Sequence, residues 1–202
     1  MRFYDALTNL IFYLPCGGES KFRSMCLNFA NLAEGDRVLD LCCGTGTLTS
    51  LIARHIGPDG QVVGLDISEP VLKTARITAR NLPATFLRVS AENLPFASSS
   101  FDKCFISFGL HHMPRQAWQN ALSEVSRTLR TGGSLTIVDY NLPAGWFARL
   151  TTKAFVKLFE DKGAYQLLNS CLLEELQQAG LAIKRRVLIG KGTIQLLEII
   201  NP

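Results

Sequence analysis

The stretch VLDLCCGTGTLT, residues 38–49, carries the residues with the clearest chemistry. Gly44 and Gly46 let the backbone turn sharply and come close to a ligand. Amide groups at the start of the helix that follows favour an anionic group. In an open parallel sheet, ligands bind in the crevice beyond the carboxyl ends of the strands. Asp40 stands inside the strand just ahead of this bend. Asp66 ends the next strand, in GLDIS, 22 positions after Gly44. A carboxylate there can accept hydrogen bonds from two ribose hydroxyls.

That second acid fits two ligand classes, and the first acid separates them. A dinucleotide fingerprint needs G-x-G-x-x-G. Here the loop reads Gly44-Thr45-Gly46-Thr47-Leu48-Thr49, without the third glycine. A carboxylate at Asp40 repels a pyrophosphate and attracts an ammonium. S-adenosylmethionine carries an ammonium, a carboxylate and a sulfonium, and no phosphate. It is the expected cofactor, with Asp40 toward the ammonium and the helix start toward the carboxylate. A nucleotide-dependent oxidoreductase is the competing enzyme class. A non-catalytic module that binds S-adenosylmethionine is the competing reading outside enzymes.

The elements that must position these residues follow from periodicity. Strand-like and helix-like patterns alternate, which predicts a mostly parallel sheet covered on both faces. Helices are expected over 1–14 and 20–33, separated by Pro15, Gly17 and Gly18. Strands are expected at 37–41, 61–65, 85–89, 102–108 and 134–140. Helices between them are expected over 45–55, 68–81 and 116–129. Ser68 resembles an N-cap, and Pro70 suits an early helical position. Thr131-Gly132-Gly133 reads as a glycine stop to the helix. Helical segments at 146–159 and 172–179 precede a closing antiparallel hairpin, 182–189 and 193–200, turned at Gly190-Lys191-Gly192.

The chain has 202 residues and is 47% hydrophobic, which suits one α/β domain with a sizeable core. The expected division is a helical cap over 1–33 and a Rossmann-like core over 34–202, with a second cap segment at about 141–170. The net charge of +4 is mild, and Lys184-Arg185-Arg186 is too short a basic run to indicate nucleic acid. The N-terminal stretch is too short and too interrupted to span a bilayer, so a cytoplasmic location is expected. Six cysteines (Cys16, Cys26, Cys42, Cys43, Cys104, Cys171) show no CxxC pair and no metal-ligand spacing. They read as reduced, mostly buried thiols, and no metal is expected. Oligomeric state stays open.

Taken in order, VLDLCCGTGTLT, GLDIS, SAENLPFASSSFD, the GLHHM turn and LRTGGSLTIVD resemble the class I S-adenosylmethionine methyltransferases. The branch is the one that includes the ubiquinone/menaquinone biosynthesis C-methyltransferases, with a methyltransferase type 11 domain. The resemblance is strong over roughly 30–140 and looser at the ends. It implies a seven-stranded sheet of order 3-2-1-4-5-7-6 with one antiparallel strand. It also implies that Asp40, Cys42, Gly44 and Gly46 surround the methionine end. Asp66 would hold the ribose, Ile67 would pack on the adenine, and Ser90, Ala91 and Glu92 would lie beside the adenine edge. Ser107 would sit near the transferring methyl. Two departures stand out. Cys42 occupies a place where the family often has glycine, which implies a backbone that is not glycine-only. Ser90 stands where the family often has aspartate.

The acceptor-side candidates are Tyr4, His111, His112, Asp139 and Tyr140, of which His112, Asp139 and Tyr140 are the expected catalytic set. A general base is needed only where the acceptor is protonated at its reactive position. Adjacent His111 and His112 do not form a two-histidine metal site, and adjacent Cys42 and Cys43 read as packing. Trp146, Phe147, Leu150, Phe155, Leu158 and Phe159 form an apolar stripe beside Arg149, Lys153 and Lys157. With Phe3, Tyr4, Leu7, Ile11, Phe12 and Tyr13 of the first segment, they could close over a small-molecule acceptor that is hydrophobic. A quinol, phenol or lipid-like acceptor, quinone biosynthesis and peripheral membrane contact are the resulting expectations.

Overall fold

The structure is a computed structural model that describes residues 16–202 apart from 161, 170, 171 and 179. The expected first helix, Tyr4 and the other N-terminal aromatics, and Cys171, lie outside the described residues. The chain begins with α1 (Glu19–Ala30). It then alternates β1 (Arg37–Leu41), α2 (Thr47–Ile56), β2 (Gln61–Asp66), α3 (Glu69–Thr78) and β3 (Ala84–Arg88). After a loop come β4 (Phe101–Ser107), α4 (Arg115–Thr128) and β5 (Leu129–Tyr140). Helices α5 (Trp146–Phe159), α6 (Lys162–Asn169) and α7 (Leu172–Gln178) lead to β6 (Ala182–Ile189) and β7 (Ile194–Ile200).

The strands form one sheet of order β3-β2-β1-β4-β5-β7-β6. β7 runs antiparallel to both β5 and β6, and the other neighbours are parallel. This Rossmann-like topology is the expected one. β1 lies between β2 and β4, with Asp40 level with Gly64 on one side and Phe105 on the other. A central strand covered on both faces must be apolar almost throughout. Val38, Leu39 and Leu41 are accordingly buried, and Asp40 is buried with them.

Side chains alternate across the sheet. Leu39 and Leu41 join a core with Trp118, Ala121, Leu122 and Val125 of α4. Val38 joins the opposite core with Leu48, Ile52 and Ile56 of α2 and with Phe105. Each large side chain buried in this way contributes about 1.5–3 kcal/mol. The alternation sends Asp40 to the α2 side. The carboxyl ends of β1, β2 and β4 are thus held rigidly, and the site is built there.

One local expectation is corrected. Thr131-Gly132-Gly133 does not stop the helix. α4 ends at Thr128, and this glycine segment belongs to β5, where pairing with β4 shifts register between Phe101 and Lys103. The reason is a partner from the far end of the chain. The Gly132 N–H donates to the Asn201 carbonyl and the Asn201 N–H to the Gly133 carbonyl, each at 2.9 Å. Ser68 does occupy the N-cap position of α3, but its hydroxyl makes no capping bond. The sequence reading also passed over α6. No helix among the described residues is long and apolar enough to cross a membrane.

Candidate active site

The strand ends open into a cavity of about 600 Å³. Its floor is the β1 exit and the glycine bend: Asp40, Cys42, Gly44 and Thr45 line it, with Thr47 at the start of α2. Asp66, Ile67 and Ser68 form one wall after β2. Ser90, Ala91 and Glu92 form another after β3. Ser107, Phe108 and His112 close it on the β4 side. Ten of the thirteen sequence-predicted site residues therefore meet around one space.

Asp40 is 1% exposed at the cavity floor. Burial raises its carboxyl to about 7, against the Thr49 hydrogen bond and the Arg23 charge that lower it. The Thr49 hydroxyl donates to Asp40 Oδ2 at 2.5 Å. A buried carboxyl held in this way is a strong receptor for a cation, because little water competes. Asp66 braces the loop. Its Oδ2 accepts the Gly44 N–H at 3.1 Å, and its Oδ1 accepts the Ser68 N–H at 2.9 Å. Each carboxylate oxygen keeps a further lone pair for a ligand hydroxyl.

Gly46 does not line the cavity, and its role is packing. A Cβ there would stand 2.8 Å from the Ala75 Cβ and 3.0 Å from the Ala75 Cα. The bare backbone lets the start of α2 lie flush against α3. The backbone at Cys42 is not glycine-only, in line with the expectation, but it is strained. Cys42 has φ 57°, in the left-handed region, as does Phe108 at φ 52° across the cavity. The Cys42 side chain packs against Gly109, whose added Cβ would meet the Cys42 Cβ at 2.7 Å. A non-glycine residue held left-handed costs about 1–2 kcal/mol. Burial also pushes the Cys42 thiol up to about 12, which disfavours thiolate chemistry.

The structure does not bring Asp139 and Tyr140 to the cavity wall. Asp139 is fully buried, and its Oδ1 lies 2.8 Å from His111 Nδ1. The Tyr140 hydroxyl donates to Glu160 Oε1 at 2.7 Å, and Glu160 Oε2 stands 4.0 Å from His111 Nε2. His111 and His112 stack with centroids 4.0 Å apart, and of the two only His112 faces the cavity. Trp118 anchors this turn by donating from its indole N–H to the Leu110 carbonyl at 2.9 Å. Ser90 accepts the Glu92 N–H on its hydroxyl at 3.3 Å, which shapes the loop after β3.

The comparisons decide the family. Residues 38–133 match the methyltransferase domain model. An uncharacterised methyltransferase of Synechocystis is 37% identical over 194 residues, covering 96% of this chain and 89% of the relative.

This chain belongs to the class I S-adenosylmethionine-dependent methyltransferases.

A demethylmenaquinone methyltransferase of Lactobacillus johnsonii is 34% identical over 160 residues. That match covers 77% of this methyltransferase and 64% of the length of the relative, less than two thirds. A methyltransferase structure from Aquifex aeolicus superposes with a TM-score of 0.71 at 18% identity, over 98% of this chain and 97% of the other. The shared architecture accounts for the strand order. Three residues of this methyltransferase escaped the sequence reading of the site. Thr49 stands inside the quoted motif, but its bond to Asp40 requires helix and strand to be packed. Glu160, just past the end of α5, and Arg23, on α1, are distant in sequence, and nothing local marks them.

Proposed function

We propose that this methyltransferase moves the methyl group of S-adenosylmethionine to an apolar small-molecule acceptor of the quinol, phenol or lipid-like class. The observation that carries the donor half is one cavity holding two acids, Asp40 and Asp66, on either side of the Gly44 bend. The donor set fits: Asp40 would face the ammonium, Asp66 the ribose hydroxyls, Ile67 the adenine, and Ser90, Ala91 and Glu92 its edge. S-adenosylmethionine supplies a sulfonium-bound methyl group, and its sulfur keeps the electron pair of the broken bond. The protein's own part is to orient donor and acceptor and to exclude water. Ser107 and His112 stand on the β4 side, where an acceptor would enter. His112 is the group there able to accept a proton from an acceptor hydroxyl. Asp139 and Tyr140 would act at one remove, through His111 and Glu160.

The acceptor half rests on the apolar side of the cavity, with Phe108, Met113 and Val89, and on the name of the Lactobacillus relative. Helix α5 adds a second support. Trp146, Phe147, Leu150 and Leu158 are 77%, 64%, 61% and 74% exposed. Arg149, Lys153 and Lys157 border them, and α5 contains no acidic residue. Such a helix suits contact with an anionic membrane surface, where apolar acceptors reside. We also read the 202 residues as one domain, with residues 1–33 and about 141–170 as caps. The test is methyl transfer from labelled S-adenosylmethionine to demethylmenaquinol-like, phenolic and phospholipid acceptors. Transfer to none of them defeats the acceptor reading. Tight S-adenosylhomocysteine binding with no product from any acceptor would favour a non-catalytic module.

A further inference from the structure

Arg23 lies on α1, one residue beyond the buried Phe22 and three before the buried Cys26. It is therefore at the edge of the helix face that packs on the core, and its side chain is 18% exposed. From there it reaches the floor of the cavity and lines it together with Asp40, Gly44 and Thr47. Its guanidinium is held from one side only. Nε and Nη2 both donate to the same oxygen, Glu19 Oε1, at 3.0 and 2.7 Å. Among the described residues, Nη1 makes no hydrogen bond. Arg23 is thus a pre-oriented cation beside a buried anion, on the wall of one pocket.

A ligand that satisfies both must carry a cation and an anion a few ångströms apart. An α-amino acid tail does so, with its ammonium and carboxylate on one carbon. We propose that Arg23 receives the carboxylate of the donor's amino-acid tail while Asp40 receives its ammonium. This rests on the donor reading above and adds a charge partner to the amide groups that open α2. A guanidinium matches a carboxylate in shape as well as charge. The partial burial of Arg23 also limits screening by water and salt. Glu19 is the more exposed of that pair and is a weak competitor.

The test compares S-adenosylhomocysteine, which has the tail, with 5′-methylthioadenosine, which lacks it. Calorimetric titration is run on the full chain as wild type, Arg23→Gln and Arg23→Lys, with thermal unfolding to establish that each is folded. Arg23→Gln is expected to weaken S-adenosylhomocysteine about ten-fold or more and to leave 5′-methylthioadenosine within two-fold. Arg23→Lys keeps the charge and should recover part of the loss. Equal weakening of both ligands, or no change in S-adenosylhomocysteine, overturns the assignment of Arg23. Failure of the wild type to bind S-adenosylhomocysteine overturns the donor reading itself, so the two failures are distinguishable.

Discussion

Thr49 donates its hydroxyl to Asp40 from the first turn of α2, tying the strand that carries the acid to the helix that caps the bend. Asp40 stands at the floor of the cavity and is raised to about 7 by burial. Folding therefore favours the protonated form. The stability this contributes is complete below the ordinary carboxyl range near pH 4 and is lost as pH rises through about 7. Asp40→Asn removes the titration. At pH 8 the unliganded variant should melt higher than wild type, with the advantage vanishing near pH 4. Calorimetric scans across pH 4–8 check this, and a lower melting point at pH 8 contradicts it.

The same linkage governs the ligand. An ammonium needs Asp40 ionised, so below about pH 7 binding must displace a proton. S-adenosylhomocysteine affinity should climb between pH 5.5 and 7 by at most about ten-fold per unit, then level off. Asp40→Asn should flatten the profile and bind at least about ten-fold more weakly at pH 8. Titration at four pH values is sufficient.

Asp66 accepts two backbone amides as well as facing the cavity. Asp66→Ala should therefore weaken S-adenosylhomocysteine and 5′-methylthioadenosine alike, because both carry the ribose. It should also lower the unfolding free energy by about 1–3 kcal/mol through the orphaned Gly44 and Ser68 amides. Urea unfolding and paired titrations separate the two effects. Loss of one ligand and not the other is the outcome that counts against a ribose role.

His112 and Asp139 should differ in kind. His112→Ala is expected to reduce turnover about ten- to a thousand-fold, with S-adenosylhomocysteine affinity within three-fold. Asp139→Ala removes the partner of buried His111 and should cost about 3–5 kcal/mol of stability. Steady-state kinetics beside chemical denaturation would reveal an Asp139 variant that is stable but inactive, which would mean that Asp139 acts on the acceptor directly.

Helix α5 makes the last prediction. Wild type should co-sediment with vesicles containing phosphatidylglycerol more than with phosphatidylcholine alone, and less at high salt. Replacing the exposed pair Trp146 and Phe147 by serine should reduce that binding at least five-fold with little change in melting temperature. Equal binding by the variant removes the membrane role from this helix.

Much of this methyltransferase was legible in one dimension. The alternation of strands and helices, the glycine bend and the two acids follow from period-2 and period-3.6 patterns and from residue types at short spacing, all local in the chain, and the order of the strands follows from the family resemblance. The depth of Asp40 and the meeting of ten site residues around one cavity were not local. They depend on β1 being an interior strand, flanked by β2 and β4, which is a property of the whole topology. That Cys42 takes up a left-handed backbone, packed against Gly109 from the loop after β4, was also not written locally. Likewise Gly132 and Gly133 signal a stop until Asn201, from the far end of the chain, supplies their hydrogen-bond partners.

The sequence by itself determined which groups were present: two acids beside a glycine bend, and imidazoles after β4. Tertiary structure alone decided which of these face the cavity and which stand behind it. It turned His112 inward, set His111, Asp139, Tyr140 and Glu160 in a buried cluster, and brought Arg23 to the cavity floor with Asp40. The physical reason is that identity and spacing are written along the chain. Burial, charge pairing and access to solvent exist only once distant segments share one core.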